Sequence, residues 1–346
     1  GAIWADGRRD LGHTTADPVA VHETLQMLAD AGVTHVAMEA SSHGLEQSRL
    51  DAVGFCAGAF LNLTQDHLDY HETMAAYRAA KLKLWPLVEA GGWGVINADS
   101  PEGGVFAQAA AARGLNVMQT GWRAPETDGL KIEEIQPRPN AQTFDLLWRG
   151  APVKVELPLI GEFQAINAVT AASLALALGS DAASVWRGMG MLQPVKGRME
   201  HVGATAEGAH VFVDYAHTPD GLEVLLRAAR PHAPGRIVLI FGCGGDRDAG
   251  KRAKMGAIAQ RLADLVIVTD DNPRSENPAA IRRAILEGCP GAREIGDRAE
   301  AIRAGVALLQ KGDALLIAGK GHETGQIIQG VTHPFSDQDA AKAVLA

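Results

Sequence analysis

The segment densest in chemistry-bearing side chains is Asn62-Leu-Thr-Gln-Asp-His67-Leu-Asp-Tyr-His71, directly after an apolar run. Polar groups crowd there at the point where a strand of an open α/β sheet ends, and ligands bind at that end. His67 and His71 stand four apart, the spacing of a transition-metal pair on a helix face. The same residues also suit a polar helix cap, with Asp66 or Asp69 accepting from backbone amides. Glu39, in Met38-Glu-Ala-Ser-Ser-His43, ends another apolar stretch. Two adjacent parallel strands ending in Glu39 and His67 would bring both side chains to one cation. Next comes Tyr77-Arg-Ala-Ala-Lys81, on a stretch with helical periodicity. Lysine on such a helix is ordinarily a solvated face residue.

The second half carries three glycine-rich strand ends. Phe241-Gly-Cys-Gly-Gly-Asp-Arg247-Asp-Ala-Gly-Lys251-Arg252 fits GxxxxGK, but Arg252 stands where a phosphate loop needs a hydroxyl for magnesium. It is expected to be an anion-binding turn from which Arg247 projects. Asp271-Asn-Pro-Arg274 and Gly319-Lys-Gly-His-Glu323 end two further strands, although such sequences also make plain turns. Together Arg247, Arg274 and Glu323 would line a pocket of mixed charge, suited to a zwitterion with at least one carboxylate.

The elements that position these residues alternate as βαβ units do, predicting α/β architecture with largely parallel sheets. Helices are expected over 18–31, 73–90 and 164–178, and strands over 34–39, 57–63 and 93–97. Alternating residues at 142–147 and 153–157, around Arg149-Gly150, predict an antiparallel hairpin. After a linker at 193–198, strands are expected over 210–215, 236–241, 265–269 and 314–318. Helices should begin near 219, 250, 278 and 298. Two domains follow, 1–195 and 196–346.

The bulk numbers agree. A 346-residue chain has room for about two domains. With 47% hydrophobic and 21% charged residues it is ordinary globular composition. A net charge of −9 disfavours nucleic acid or an anionic membrane as partner. Cys56, Cys243 and Cys289 lack metal or disulfide spacing and are expected to be buried thiols of a reducing compartment. No apolar run reaches the ~18 residues of a membrane span, and no signal peptide is recognisable, so a cytoplasmic location is expected.

Nine motifs, in order, resemble the Mur ligase family: Thr14-Thr-Ala-Asp-Pro18, Met38-Glu-Ala-Ser-Ser-His-Gly-Leu-Glu-Gln47, the 62–71 segment, Tyr77-Arg-Ala-Ala-Lys81, Gly197-Arg-Met-Glu200, Val213-Asp-Tyr-Ala-His-Thr-Pro219, the 242–252 turn, Asp271-Asn-Pro-Arg274 and Gly319-Lys-Gly-His-Glu323. The likeness spans essentially the whole chain and is greatest to the diaminopimelate-adding branch. It implies a central ATP-binding domain, its mostly parallel sheet carrying an antiparallel flank, and a Rossmann-like C-terminal domain that binds the amino acid. The implied reaction is ATP-dependent amide formation through an acyl phosphate, in peptidoglycan precursor synthesis. Implied cofactors are ATP and Mg2+, with Glu39 and His67 as metal ligands and Lys81 carrying a CO2-derived carbamate that supplies an oxygen donor. By the same resemblance Thr14, Thr15, Ser41, Gln47 and Arg49 hold the UDP-N-acetylmuramoyl dipeptide. Asn167 reads adenine, while Arg198 and Asp214 are hinge and ribose contacts. Arg247, Asp271, Asn272, Pro273, Arg274, Gly319 and Glu323 bind diaminopimelate.

Two departures stand out. The family's phosphate loop ending in Lys-Thr or Lys-Ser is absent, and the chain opens at Gly1-Ala-Ile-Trp without methionine. The expectation is a monomer that begins inside the central domain and is inactive by itself. The second departure is Thr324-Gly325, where relatives more often carry an acidic residue and tyrosine. The competing readings are a non-catalytic remnant that binds a precursor or a partner, and a lysine-adding ligase.

Overall fold

The computed structural model describes residues 2–4, 7–9, 11–12, 14–64 and 67–345, without the side chains of Trp4, Arg8, Leu68 and Asp69. Both expected caps, Asp66 and the Asp69 carboxylate, lie outside the described residues. Two compact units emerge, one of 1–133, 145–153 and 166–187, the other of 134–144, 154–165 and 188–346.

The chain begins with β1 (Ala2–Trp4) and β2 (Gly7–Arg9), an antiparallel pair, then α1 (Pro18–Asp30), α2 (Ser42–Glu46), β3 (Phe55–Phe60), α3 (Leu68–His71) and α4 (Met74–Leu82). β4 (Val88–Asn97), α5 (Gly103–Ala112) and β5 (Asn116–Gly121) follow, then β6 (Gly129–Arg138), β7 (Ala141–Trp148), β8 (Ala151–Leu157), α6 (Glu162–Ala177) and α7 (Ala182–Met189). α1 starts where Asp17 accepts from the Ala20 amide and Pro18 presets the first turn. The sheet order is β3-β4-β5-β6-β7-β8, parallel from β3 to β6. Two-residue turns join β6, β7 and β8, which makes that flank antiparallel. Arg149 and Gly150 take φ of 52° and 75°, as the expected tight hairpin requires.

Three expectations fail here. No strand forms over 34–39. A strand is defined by a ladder partner, and among the described residues none pairs with this segment, where Val36 and Met38 are exposed. The helix expected over 73–90 stops at Leu82 and a short 3-10 turn, Trp85–Leu87, follows. Pro86 has no amide to continue the helix and Trp85 is buried, so Val88 instead pairs with Phe55 and opens β4. Cys56, expected inside, is exposed on the edge strand β3, whereas Cys243 and Cys289 are buried.

The remaining chain forms β9 (Glu200–Ala204), β10 (His210–Asp214), α8 (Pro219–Ala229), β11 (Ile237–Phe241), α9 (Lys251–Leu262), β12 (Leu265–Val268) and α10 (Pro278–Leu286). It ends with β13 (Arg293–Glu294), α11 (Arg298–Ala307), β14 (Ala314–Ala318), β15 (Gly325–Ile328), β16 (Val331–Pro334) and α12 (Asp337–Leu345). Its sheet runs β13-β12-β11-β14-β10-β9, parallel except for β9. Every residue of β11 and β14 is buried, because apolar layers cover both faces. This is the Rossmann-like arrangement, and it gathers the loops after β11, β12 and β14 at one edge. Among the described residues no helix is long and apolar enough to cross a membrane.

Candidate functional site

In the first unit Thr15 is a hub. Its buried hydroxyl donates to the Glu39 carbonyl and accepts from the Ser41 amide, both at 2.9 Å. A Cβ on Gly44 would stand 2.6 Å from Thr15 Cγ2, so only glycine permits this approach. Ser41 caps α2 through the Gly44 amide. Arg49 Nη1 donates to the Thr15 carbonyl at 2.8 Å, its Nε and Nη2 hold Gln47 Oε1, and Gln47 Nε2 donates to the Tyr70 hydroxyl. Thr15, Ser41, Gln47 and Arg49, chosen from sequence, thus form one network, with Thr14 exposed beside it. The Thr15 hydroxyl is already committed to backbone, which makes it an organiser of the site.

His67 is exposed, with a left-handed φ of 55°. Its ring lies 4.9 Å from His43 and 5.9 Å from Tyr77, and Lys81 Nζ lies 5.2 Å from that same Tyr77 ring. The fold therefore brings His67 and Lys81 to one aromatic side chain. Glu39 is exposed, with its carbonyl held by Thr15. His71 does not join His67 in a metal pair. It is buried, shares a 2.9 Å hydrogen bond with Ser42 Oγ and stacks on Tyr77. Burial first, then the nearby His43, hold its pKa below the usual imidazole range. Among the described residues no three His, Cys, Asp or Glu side chains converge as a metal cage. A carboxylate such as that of Glu39 is the oxygen donor that suits a Mg2+ keeping water and substrate phosphate as its other ligands.

The second unit holds a more finished polar cluster. Asn272, 4% exposed, donates from Nδ2 to Glu323 Oε2 at 2.8 Å. Its Oδ1 accepts from Lys320 Nζ and from the Ile327 amide, each at 3.0 Å. Burial pushes the Glu323 carboxyl up, yet the Lys320 and Asn272 bonds and the Lys320 and Arg274 charges leave it below its ordinary range. Asp271 is buried and its carbonyl accepts from Gln326 Nε2. A Cβ on Gly319, at φ 115°, would meet the Asp271 carboxylate at 2.7 Å. Arg274 donates from Nη1 to the Gly245 carbonyl at 2.8 Å. Its backbone, at φ 51°, is gripped by the β15–β16 hairpin through Ile327 and Gln329. Arg247 and Arg274 both flank Gly244, Arg247 being exposed. Glu276 pairs with Arg252. The expected anion-binding turn already spends amides on internal acceptors, Asp246 on Glu276 and Gly250 on Asp248.

A cavity of about 260 Å³ lies nearby in the same unit, lined by residues that include Phe163, Arg198, Asp214, Tyr215 and Thr218. Arg198 lies 4.8 Å over the Tyr215 ring. Asp214 accepts from the Met199 and Ala216 amides at 2.7 Å, and burial raises its pKa despite those bonds. Asn167 is exposed on α6, in the first unit.

Sequence reading missed Lys320, Tyr215, Phe163 and the β15–β16 hairpin. The hairpin had a signal in Gln329-Gly330, which take φ of 49° and 77° between two β-rich runs. Lys320 had none, since lysine between glycines normally marks a wet turn.

Residues 3–175 match the Mur ligase middle domain, and residues 197–321 match the Mur ligase glutamate ligase domain. A UDP-N-acetylmuramoyl-L-alanyl-D-glutamate–2,6-diaminopimelate ligase of Caulobacter vibrioides is 53% identical, covering 94% of this chain and 67% of its own length. The ligase of the same name from Bradyrhizobium diazoefficiens is 54% identical, covering 96% and 69%. A solved structure of a ligase of that name superimposes with a TM-score of 0.74 at 35% identity, covering 96% of this chain and 69% of that one.

Proposed function

The chain belongs to the Mur ligase family, and we propose that it serves the ATP-dependent addition of meso-2,6-diaminopimelate to UDP-N-acetylmuramoyl-L-alanyl-D-glutamate. The observation that carries the substrate choice is the polar cluster at the carboxyl ends of β11, β12 and β14, where Arg274, Asn272 and Glu323 are held as complements to carboxylate and ammonium. In this reading residues 1–195 bind ATP and the dipeptide, and residues 196–346 bind the amino acid.

The γ-phosphoryl group of ATP passes to the terminal glutamate carboxylate. The amine of the amino acid then attacks the acyl carbon, phosphate leaves and the amine sheds a proton. Most of the acceleration comes from positioning and from neutralising charge on the phosphoryl group. Mg2+ supplies that neutralisation when bound; Glu39, His67 and a carbamate on Lys81 would hold it. Thr14, Thr15, Ser41, Gln47 and Arg49 orient the dipeptide nucleotide. Asn167, Arg198 and Asp214 hold adenine and ribose, with Tyr215 and Phe163 offering ring faces. Arg247, Asp271, Asn272, Pro273, Arg274, Gly319 and Glu323 hold diaminopimelate. The 346-residue chain contains no Lys-Thr or Lys-Ser phosphate loop, so by itself it is proposed to bind the amino acid without turnover.

Isothermal calorimetry with diaminopimelate and with lysine tests the substrate. Binding of diaminopimelate with little or no lysine binding is expected. Equal binding of the two would sink the assignment.

A further inference from the structure

The side chain of Lys320 is 0% exposed. A buried ammonium loses its hydration and persists only where charge and dipoles replace it. The local backbone explains how it gets inside. Gly319 and Gly321 take φ of 115° and 54° on either side, a reversal that L side chains resist. Gly321 is also pressed against Tyr215 and the Gly197 carbonyl, so this turn has no room for other residues.

Once inside, Nζ donates to Glu323 Oε2 at 2.9 Å and to Asn272 Oδ1 at 3.0 Å. Asn272 Nδ2 closes the triangle on the same Glu323 oxygen at 2.8 Å. An asparagine amide can otherwise face either way; here two donors on Oδ1, Lys320 and the Ile327 amide, choose for it. Both donors to Glu323 fall on Oε2, so the carboxylate is pivoted about one oxygen. If fold stability were the only need, a well-packed apolar residue would serve as well as a buried lysine.

We propose that Lys320 is a positioning residue of the amino-acid pocket. It fixes the Asn272 amide and turns Glu323 so that Oε1 meets an ammonium group of the incoming diamino dicarboxylate. This deepens the reading above and rests on it for the identity of the ligand.

The test uses Lys320→Met, which keeps an unbranched chain of similar length without charge, and Lys320→Gln, which keeps a neutral donor. Thermal unfolding should show both variants folded. Diaminopimelate affinity should fall roughly 10- to 100-fold in Lys320→Met, with partial recovery in Lys320→Gln, as expected for losing a charge-assisted contact's alignment. In a complete ligase that also carries the phosphate loop, the Michaelis constant for diaminopimelate should rise while that for ATP holds. Independently of any ligand, the Glu323 carboxyl followed by 13C NMR should titrate at higher pH in Lys320→Met. An unmoved Glu323 midpoint, or affinity within about twofold of the parent in both variants, overturns the proposal. Failure of the parent chain to bind diaminopimelate overturns the substrate reading, and the proposed ligand falls with it.

Discussion

Of the groups proposed for a cation, Glu39 and His67 are exposed and Lys81 is half-buried, and no three His, Cys, Asp or Glu side chains converge among the described residues. At the carboxyl ends of β12 and β14, Asn272 is 4% and Lys320 0% exposed, and each polar contact is made before any ligand arrives. The two regions differ in what their ligands bring. Magnesium on a triphosphate arrives with most of its oxygen ligands, so the protein adds only a few donors. An amino acid that differs from lysine by one carboxylate brings no such help. Choosing it depends on donors already desolvated and aimed, whose loss of a partner is costly.

The rigid side of that comparison can be broken from beneath. Arg298 and Asp337 are both 0% exposed and paired at 2.7 and 2.8 Å, and Arg298 also donates to the Ala318 carbonyl at the end of β14. Arg298→Met leaves a buried carboxylate unpaired and should cost about 3–5 kcal/mol in urea unfolding. Arg298→Met with Asp337→Leu should recover most of that loss; no recovery would mean that packing, and not charge, holds the floor.

The open side is tested at Lys81. A 13C-bicarbonate-derived carbamate resonance should appear in the parent chain and vanish in Lys81→Arg, whose guanidinium cannot take up CO2. In a complete ligase that also carries the phosphate loop, the arginine variant should lose roughly 100- to 1000-fold in turnover, the scale of deleting one electrostatic stabiliser. Lys81→Ala should be partly rescued by a small carboxylate. Normal turnover with arginine would make Lys81 an ordinary cation.

Arg274→Ala removes the guanidinium and should weaken diaminopimelate binding ~30-fold or more, near 2–4 kcal/mol, leaving lysine binding no worse. An unchanged preference would dissolve the contrast between a selective pocket and an open one.

The smallest effect concerns pH. Burial holds His201, His210 and His232 below the ordinary imidazole pKa. His232 accepts from the Gly161 amide and bonds the Arg138 carbonyl, so it is the neutral ring that fits. A depressed folded pKa contributes stability that is fully present above the unfolded value, about 6.5, and is lost as pH falls through the folded one. The melting temperature should therefore drop between about pH 7.5 and 5.5, and His232→Gln should flatten part of that slope. An equal slope in the variant would assign the loss to other groups.

Several residues proposed for the site stand out in the sequence because their turn chemistry is local. Asp271-Asn-Pro-Arg274 and Gly319-Lys-Gly-His-Glu323 announce strand ends, and the structure puts Asn272 in contact with Glu323 across 51 residues. The segment at 34–39 is β-rich yet forms no strand, because composition says nothing about whether a neighbour completes the ladder. The apolar spacing over 73–90 suits a helix throughout, but the helix ends at Leu82 and Pro86 has no amide to carry it on.

Composition and spacing by themselves determined the α/β alternation, the antiparallel flank and which strand ends carry polar clusters, since periodicity and turn residues act over a few positions. Tertiary structure alone decided that His71 turns inward to Ser42, that Arg274 is gripped by the β15–β16 hairpin, and that Lys320 is driven to full burial between two left-handed glycines. Each of those outcomes depends on groups brought close from distant parts of the chain. Local sequence sets a side chain's options, but the cost of desolvating it, and the partner that offsets that cost, exist only once the fold has closed around it.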